Sequence, residues 1–472
     1  MDCIHFSLLL IFLLLLISPS YEEETLVFVY THFRHGARGT SSSIDKDGID
    51  FFGEAWIAPD DLTGVGLRMH YALGLRNRKK YQIFLKKNFD PREILVTSTD
   101  YNRTIQSAYA QLQGLYEPLT EQNITPEEEK RMNDLNGYSA EIQKIIDSEN
   151  AKLNYFSLPG KIEIVPIHVY NKIDHKILLS YEYRVNGCKG IIKNRENNKM
   201  NLSSLIGTLK EKEGKNIETY FSDKSKKVNI SDATELEKLC DVFNCDLFDG
   251  RIDKNCISET FQDNCHKYLN DYLFTIEFGD KDDKVLFMSQ TPVFEDLLYY
   301  MNNVITKDIE KKRKLDQGEY RPKFVMVSGH EVTLMGFTEY MRRFLNKTEK
   351  IPNVPFASSV FLEVYRKEEK EKLSPSDYIV KYYINDDLVA NFTFEIMNTT
   401  MRKKFWTKDE IYNFCEFDDW KEVKTTNLLI ILVIIFSILG LVIVVTLIIV
   451  IVVFGKKIKT IPVDDTRVSE LI

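Results

Sequence analysis

The sequence predicts an α/β fold: a mostly parallel central sheet flanked by helices, with a helical cap inserted into it. Three observations carry this expectation. Apolar, β-rich runs alternate with stretches of helical periodicity through the first third of the chain, giving strand, helix, strand, helix. The same strand–turn–helix pattern returns in "KFVMVSGHEVTLMGFTEYMRRFL". Between them, residues 171–280 are rich in Lys, Asn and Glu and weakly periodic, which marks an insertion. The core is therefore expected to be discontinuous, over 21–170 and 281–420.

In order along the chain, "ETLVFVY" reads as a buried strand by its continuous apolar run. "LTGVGLRMHYALGLRNRKKYQIFL" has helical spacing from about Thr63, and Thr63 is a plausible cap. "REILVTS" is a second strand, and "NRTIQSAYAQLQGLY" a second helix with Gly114 near its end. "KIEIVPIHVY" is a third strand candidate. After the insertion, "PVFEDLLYYMNNVITKDIEKKR" is a helix with an apolar face. "SSVFLEVYRK" and "DYIVKYYIND" close the domain as two strands able to pair as a hairpin. There is no internal repeat.

Both ends of the 472-residue chain depart from globular composition. "FSLLLIFLLLLISPS" has the length of a signal-peptide core, with Ser18 and Ser20 placed like cleavage-site residues, so residues 1–20 are expected to be removed. The preceding residues lack Lys and Arg, and the alternative is an uncleaved anchor with two spans. Residues 428–454 contain no charged side chain and suffice to cross a bilayer. Lys456, Lys457 and Lys459 follow, which places residues 455–472 in the cytosol as the tail of a type I single-pass protein. The final "RVSELI" is a weak match to an endosomal sorting signal, because Arg467 stands where an acidic residue is expected; lysosome and cell surface both stay open.

A net charge of −8 argues against a general nucleic-acid binder. Six cysteines remain beyond the signal peptide: Cys188, Cys240, Cys245, Cys256, Cys265 and Cys415. In a secreted context they suggest three disulfides, with the pairing open; a zinc site is the rival, though no C-x2-C pair is present. Sequons occur at Asn102, Asn123, Asn201, Asn229, Asn346, Asn391 and Asn398. Asn102 is expected to stay unmodified, as part of a pocket wall.

That pocket follows from the strand ends. Ligands of open α/β sheets bind beyond the carboxyl ends of the strands. Three segments bring ionisable groups there: "THFRHGARGT" with Arg34, His35 and Arg38, "STDYNRT" with Arg103, and "SGHE" with His330 and Glu331. Clustered guanidinium groups repel one another unless an anion joins them, and their forks match phosphate oxygens. His35 fits a nucleophile that holds a phosphoryl group covalently. Glu331 fits the acid that protonates the leaving group, which low pH would favour. Arg34, Arg38, Arg103 and His330 would bind the phosphate and carry its developing charge. His32 is read as structural, turned by strand alternation away from Arg34 if the strand persists that far.

"RHGAR", "LTGVGLRMHYALG", "STDYNRTIQSAYAQLQGLYEP", "VPIHVY" and "SGHEVTL" resemble, in order and spacing, the histidine acid phosphatases, the lysosomal and prostatic branch above all. The resemblance runs from about Thr25 to Asp418. It implies a phosphoglycerate-mutase-like α/β core with a helical cap, a phosphohistidine mechanism at His35, and phosphate ligation by Arg34, Arg38, Arg103 and His330. It makes the residue after His330 the proton donor and adds His168 as a binding residue near the pocket. It also implies a disulfide like Cys188–Cys415 and a type I anchor. Two positions depart from the family: Thr40 stands where Pro is usual, and Glu331 where the animal enzymes have Asp.

The expectation is thus a membrane-anchored acid phosphatase for small-molecule phosphate monoesters, needing no metal or organic cofactor, in the lysosomal–endosomal lumen or at the cell surface, with room for a homodimer. The rivals are a phytase-like inositol polyphosphate phosphatase and a non-catalytic surface glycoprotein. For the former, the basic runs "KNRENNK" and "KSKK" in the cap would have to face the ligand.

Overall fold

A computed structural model describes residues 24–40 and 60–117, parts of 125–169, and 188–458 apart from short gaps. The expected signal peptide and most of the expected tail lie outside the described residues. The chain divides into two units, Met1–Thr407 and Lys408–Ile472.

The first unit is built on a seven-stranded sheet: β1 (Thr25–Arg34), β2 (Ile94–Ser98), β3 (His168–Val169), β4 (Phe324–Gly329), β5 (Ser359–Arg366), β6 (Tyr378–Ile384) and β7 (Asp387–Thr393), in the order β3-β2-β4-β1-β5-β6-β7. The four strands β3, β2, β4 and β1 are parallel, and β5, β6 and β7 continue the sheet as an antiparallel meander. The sheet is therefore mixed, and the expected hairpin is β5–β6. The two halves differ in composition for a physical reason. Strands β2 and β4 are buried along their whole length and read as unbroken apolar runs, whereas β6 alternates buried and half-buried residues. The third strand shrinks to His168 and Val169, paired with Thr97 and Ser98 of β2. Pro166, just before it, has no N–H to give to a ladder. Strand β7 was not anticipated.

Helices cover both faces. On one side lie α1 (Gly64–Lys80) and α2 (Asn102–Leu115), over Val29, Phe33, Val96 and Met326. The Thr63 hydroxyl accepts from the Gly66 N–H and caps α1 as its sequence suggests. A Cβ at Gly74 would lie 2.0 Å from the Gln111 carbonyl, and one at Gly114 2.2 Å from that of Tyr71, so the two helices pack backbone against backbone. Between α2 and the next helix of the sheet lies a helical insertion: α3 (Lys189–Lys199), α4 (Ser203–Tyr220), α5 (Ala233–Phe248) and α6 (Glu259–Phe278). It has its own core, including Leu239, Phe243, Phe261 and Leu269. On the opposite face of the sheet, α7 (Lys284–Ile309) and α8 (Glu331–Phe344) bury Phe294, Leu297, Phe337 and Tyr340 against Phe28 and Tyr30. Alternate residues of β1 thus enter different cores, which is why this strand is apolar on both sides. Helix α9 (Phe394–Arg402) follows β7.

The cysteines correct the expectation of three disulfides. Cys188 and Cys415 are disulfide-bonded, but Cys240, Cys245 and Cys265 are buried thiols. Cys245 faces Arg38 rather than another cysteine, with Sγ 3.5 Å from Nη1. Cys240 and Cys265 touch as thiols at 2.9 Å inside the helical core. Apolar packing therefore holds much of what crosslinks were expected to hold. Cys256 lies outside the described residues.

The second unit contains α10 (Lys408–Cys415) and α11 (Asp418–Ile458). Within α11, Ile431–Val452 has a mean hydropathy of 3.4 and no buried share, so it is long and apolar enough to cross a membrane.

Candidate active site

Strands β2, β4 and β1 are neighbours and parallel, with Arg34 in register with Gly329 and Ser98 with Ser328. Their carboxyl ends therefore open on one edge, and the three polar segments meet there. The cavity they line measures about 390 Å³; Arg34, His35, Arg38, Arg103, His330 and Glu331 form its floor, and residues of α5 and α6 face them across it.

His35 follows directly on β1. Its backbone N–H donates to the Gly329 carbonyl at 3.0 Å, pinning the first segment to the third. Its Nδ1 lies 2.9 Å from the Gly36 carbonyl oxygen. Only a protonated nitrogen pairs with a carbonyl, so Nδ1 carries the hydrogen and Nε2 keeps its lone pair. Burial, with Arg103, Arg34, His330 and Arg38 nearby, holds the imidazole pKa well below its usual range. The neutral form of the ring is therefore favoured. Gly36 is required by close approach: a Cβ there would lie 2.6 Å from the Gly66 carbonyl at the start of α1. The Gly36 N–H also donates to Ser107 Oγ of α2 at 3.1 Å.

Each arginine is held by a carboxylate and a second partner. Arg34 donates from Nη1 to the Val354 carbonyl at 2.6 Å, pairs through Nη2 with Glu331 at 2.5 Å, and lies over the Phe356 ring. Arg38 makes a two-pronged pair with Asp241 of α5, at 2.9 and 3.3 Å. Arg103, in the first turn of α2, pairs with Asp60 and donates from Nη2 to His330 Nδ1 at 3.2 Å. In all three, Nε is buried and makes no hydrogen bond. Three orphaned cationic donors around one imidazole describe a pocket for an anion.

His330 accepts from Arg103 at Nδ1, which leaves Nε2–H to donate to Thr99 Oγ1 at 2.9 Å. It also caps α8, its backbone N–H bonded to Thr333 Oγ1 at 2.8 Å. Glu331 is the first residue of α8, where the positive end of the helix favours its ionised form. Burial is the larger influence and raises its pKa; Arg34 opposes this and Asp241 adds to it.

The six strand-end residues are thus brought together as expected. His168 is not with them. It is exposed in β3 and lines a separate, largely apolar cavity of about 450 Å³ with Phe89, Pro91 and Tyr300. The pocket wall does not include Asn102 either: it is exposed, while Tyr101 and Arg103 on either side line the cavity, so the reason for expecting an unmodified sequon does not hold. His32 stays structural, but by a different route. Strand β1 persists to Arg34, so His32 shares that residue's face; it lies deeper, buried against Phe337 of α8, with its pKa lowered to about 3 by burial.

Sequence reading missed Asp60, Tyr101, Glu237, Asp241 and Glu277, which also line the cavity together with Arg195 of the run "KNRENNK". Tyr101 lies inside a motif already singled out. The acidic residues of α5 and α6 carry no local signal, since a carboxylate on a helix reads as solvated surface until packing is known. Glu237 has its pKa raised to about 7, chiefly by burial and then by Asp241.

A rat lysosomal acid phosphatase (Rattus norvegicus) is 36% identical over 113 residues, 24% of this chain and 26% of that one. The Xenopus laevis lysosomal acid phosphatase is 32% identical over 181 residues, 37% of each chain. The mouse prostatic acid phosphatase (Mus musculus) is 39% identical over 116 residues, 24% of this chain and 30% of that one. These alignments span about a quarter to a third of the relatives' length. In fold, the chain is similar to a Citrobacter braakii phytase, with a TM-score of 0.51 at 12% identity over 81% of this chain and 98% of that one. The model of the histidine phosphatase superfamily (branch 2) matches residues 25–385, from the first strand through the β5–β6 hairpin and across the whole constellation at the strand ends, and the chain belongs to that family.

Proposed function

We propose that this chain is an acid phosphatase that hydrolyses phosphate monoesters through a covalent phosphohistidine at His35, anchored in a membrane by the span within α11. The observation that carries the reading is the His35 imidazole, with Nδ1 tied to Gly36 and Nε2 free, among three arginines whose Nε donors lack partners. Nε2 attacks phosphorus and the P–O bond to the leaving group breaks. Arg34, Arg38 and Arg103 hold the equatorial oxygens, while His330, whose Nδ1 accepts from Arg103 and whose Nε2–H goes to Thr99, orients Arg103 rather than donating to the phosphate as the sequence suggested. Glu331 gives its proton to the departing oxygen. Its carboxylate then takes a proton from a water that attacks the phosphohistidine, releasing inorganic phosphate and restoring both residues.

The inositol polyphosphate reading needs a cationic cap wall. Across the cavity stand Glu237, Asp241 and Glu277, and Arg195, from the run "KNRENNK", is paired with Glu277 at 3.3 Å. The run "KSKK" lies outside the described residues. Asp241 is likewise paired, with Arg38, so these residues offer no unpaired cation to hold a second phosphate, and substrates with one phosphate are favoured. A binding-only glycoprotein has no need of a nucleophile and an acid together. For the location, the apolar span followed by lysines supports a type I orientation with the pocket outside the cytosol.

The test is hydrolysis of an aryl phosphate across pH by the wild type and His35→Ala. Turnover in acid that His35→Ala abolishes supports the reading; a wild type inactive at every pH overturns it.

A further inference from the structure

We infer that Asp241 is a positioning residue for phosphate binding: it acts from the helical insertion through Arg38, whose guanidinium it holds with one edge turned to the anion. The inference rests on the phosphatase reading of the pocket. A guanidinium offers two forks, the Nη1/Nη2 end and the Nε/Nη2 side. Asp241 takes the end fork, with Oδ1 2.9 Å from Nη2 and Oδ2 3.3 Å from Nη1. Nη1 is further committed to the Gly39 carbonyl at 3.0 Å and to Cys245 Sγ at 3.5 Å. The side fork is what remains, and its Nε makes no hydrogen bond. Asp60 approaches it no closer than 3.9 Å.

Both side chains are about nine-tenths buried, at 10% exposure each. Desolvating such a pair offsets most of its attraction, so it is a poor source of stability and a good source of orientation. A loose Arg38 would have several rotamers, each presenting the anion with a different edge; with Asp241 in place it has one. Asp241 sits in the middle of α5, whereas Arg38 belongs to the loop after β1. The contact therefore makes phosphate binding on the sheet depend on how the insertion is seated.

The test is a double-mutant cycle on the full-length protein in detergent, read by kcat and KM for an aryl phosphate and by binding of inorganic phosphate followed by calorimetry. Asp241→Asn keeps the shape and removes the charge. It should weaken phosphate binding and lower kcat/KM by roughly tenfold or more, with Asp241→Glu restoring part of the loss. In an Arg38→Lys background, which has no fork to orient, the same Asp241→Asn change should alter both quantities by less than about twofold. Equal losses in the two backgrounds, or no loss in either, would overturn the inference. Should Asp241→Asn fail to fold, Asp241→Glu enters the same cycle, where the added methylene displaces the fork and the same coupling is expected. Failure of the phosphatase reading is distinguishable, because the wild type would then neither turn over nor bind phosphate.

Discussion

At the scale of single residues, the pocket moves two pKa values in opposite directions. Burial among cations lowers that of His35, and burial raises that of Glu331. In the proposed roles the nucleophile must be neutral and the donor protonated, and the two shifts both act to let these forms coexist. Activity should fall as pH rises through the raised pKa of Glu331 and as it falls through the lowered pKa of His35, and a pH profile of kcat/KM measures both limbs. Glu331→Gln should cut turnover of alkyl phosphates by about 10²–10⁴-fold while slowing aryl phosphates much less; equal losses for both classes would remove Glu331 as the acid. These residues were legible because each follows an uninterrupted apolar strand. Asp241 was not, because nothing within α5 distinguishes it from its acidic neighbours until α5 is packed against the loop after β1. His168 misled for the converse reason: the family pattern was read onto a segment where only two residues pair as a strand.

At the scale of elements, glycines at α1 and α2 set how closely the loop after β1 is held. Gly36 meets Gly66, and Gly74 meets Gly114, with no room for a Cβ at any of the four. Gly114→Ala should force the helices apart and cost about 1–3 kcal/mol, measurable by chemical denaturation. Helix α5 supplies a pH effect through Glu237. Its pKa is raised to about 7 in the folded chain against an ordinary value near 4.5. The folded state thus holds the proton more tightly, and the associated stability is complete below pH ~4.5 and lost as pH rises through about 7. Glu237→Gln should therefore flatten the decline of Tm between acid and neutral pH; a variant with the wild-type slope would show that Glu237 is not the group responsible. The helical periods and the Thr63 cap were readable from sequence because they are local. The thiol state of Cys240, Cys245 and Cys265 was not, since disulfide formation depends on which sulfurs packing brings face to face.

At the scale of the whole molecule, the α/β class was readable from alternating periods, but the balance of the sheet was not. The parallel half announces itself through buried runs. The antiparallel half hides in weaker alternation, and β7 in particular has no buried residue to mark it as a core strand. The apolar span in α11 makes a separate prediction. The full chain should partition into the detergent phase on phase separation, and a chain ended after Glu416 into the aqueous phase with activity kept. Aqueous partitioning of the full chain would remove the anchor.

The central claim is that a phosphoryl group rests on His35 during turnover. Rapid mixing with an aryl phosphate, quenching in alkali where phosphohistidine survives, and mass analysis of the peptides tests it most directly. The account predicts a phosphate on the peptide containing His35, absent in His35→Ala and accumulating in Glu331→Gln with an aryl substrate. A wild type that hydrolyses the substrate with no phosphate on His35 at any time during turnover would contradict it.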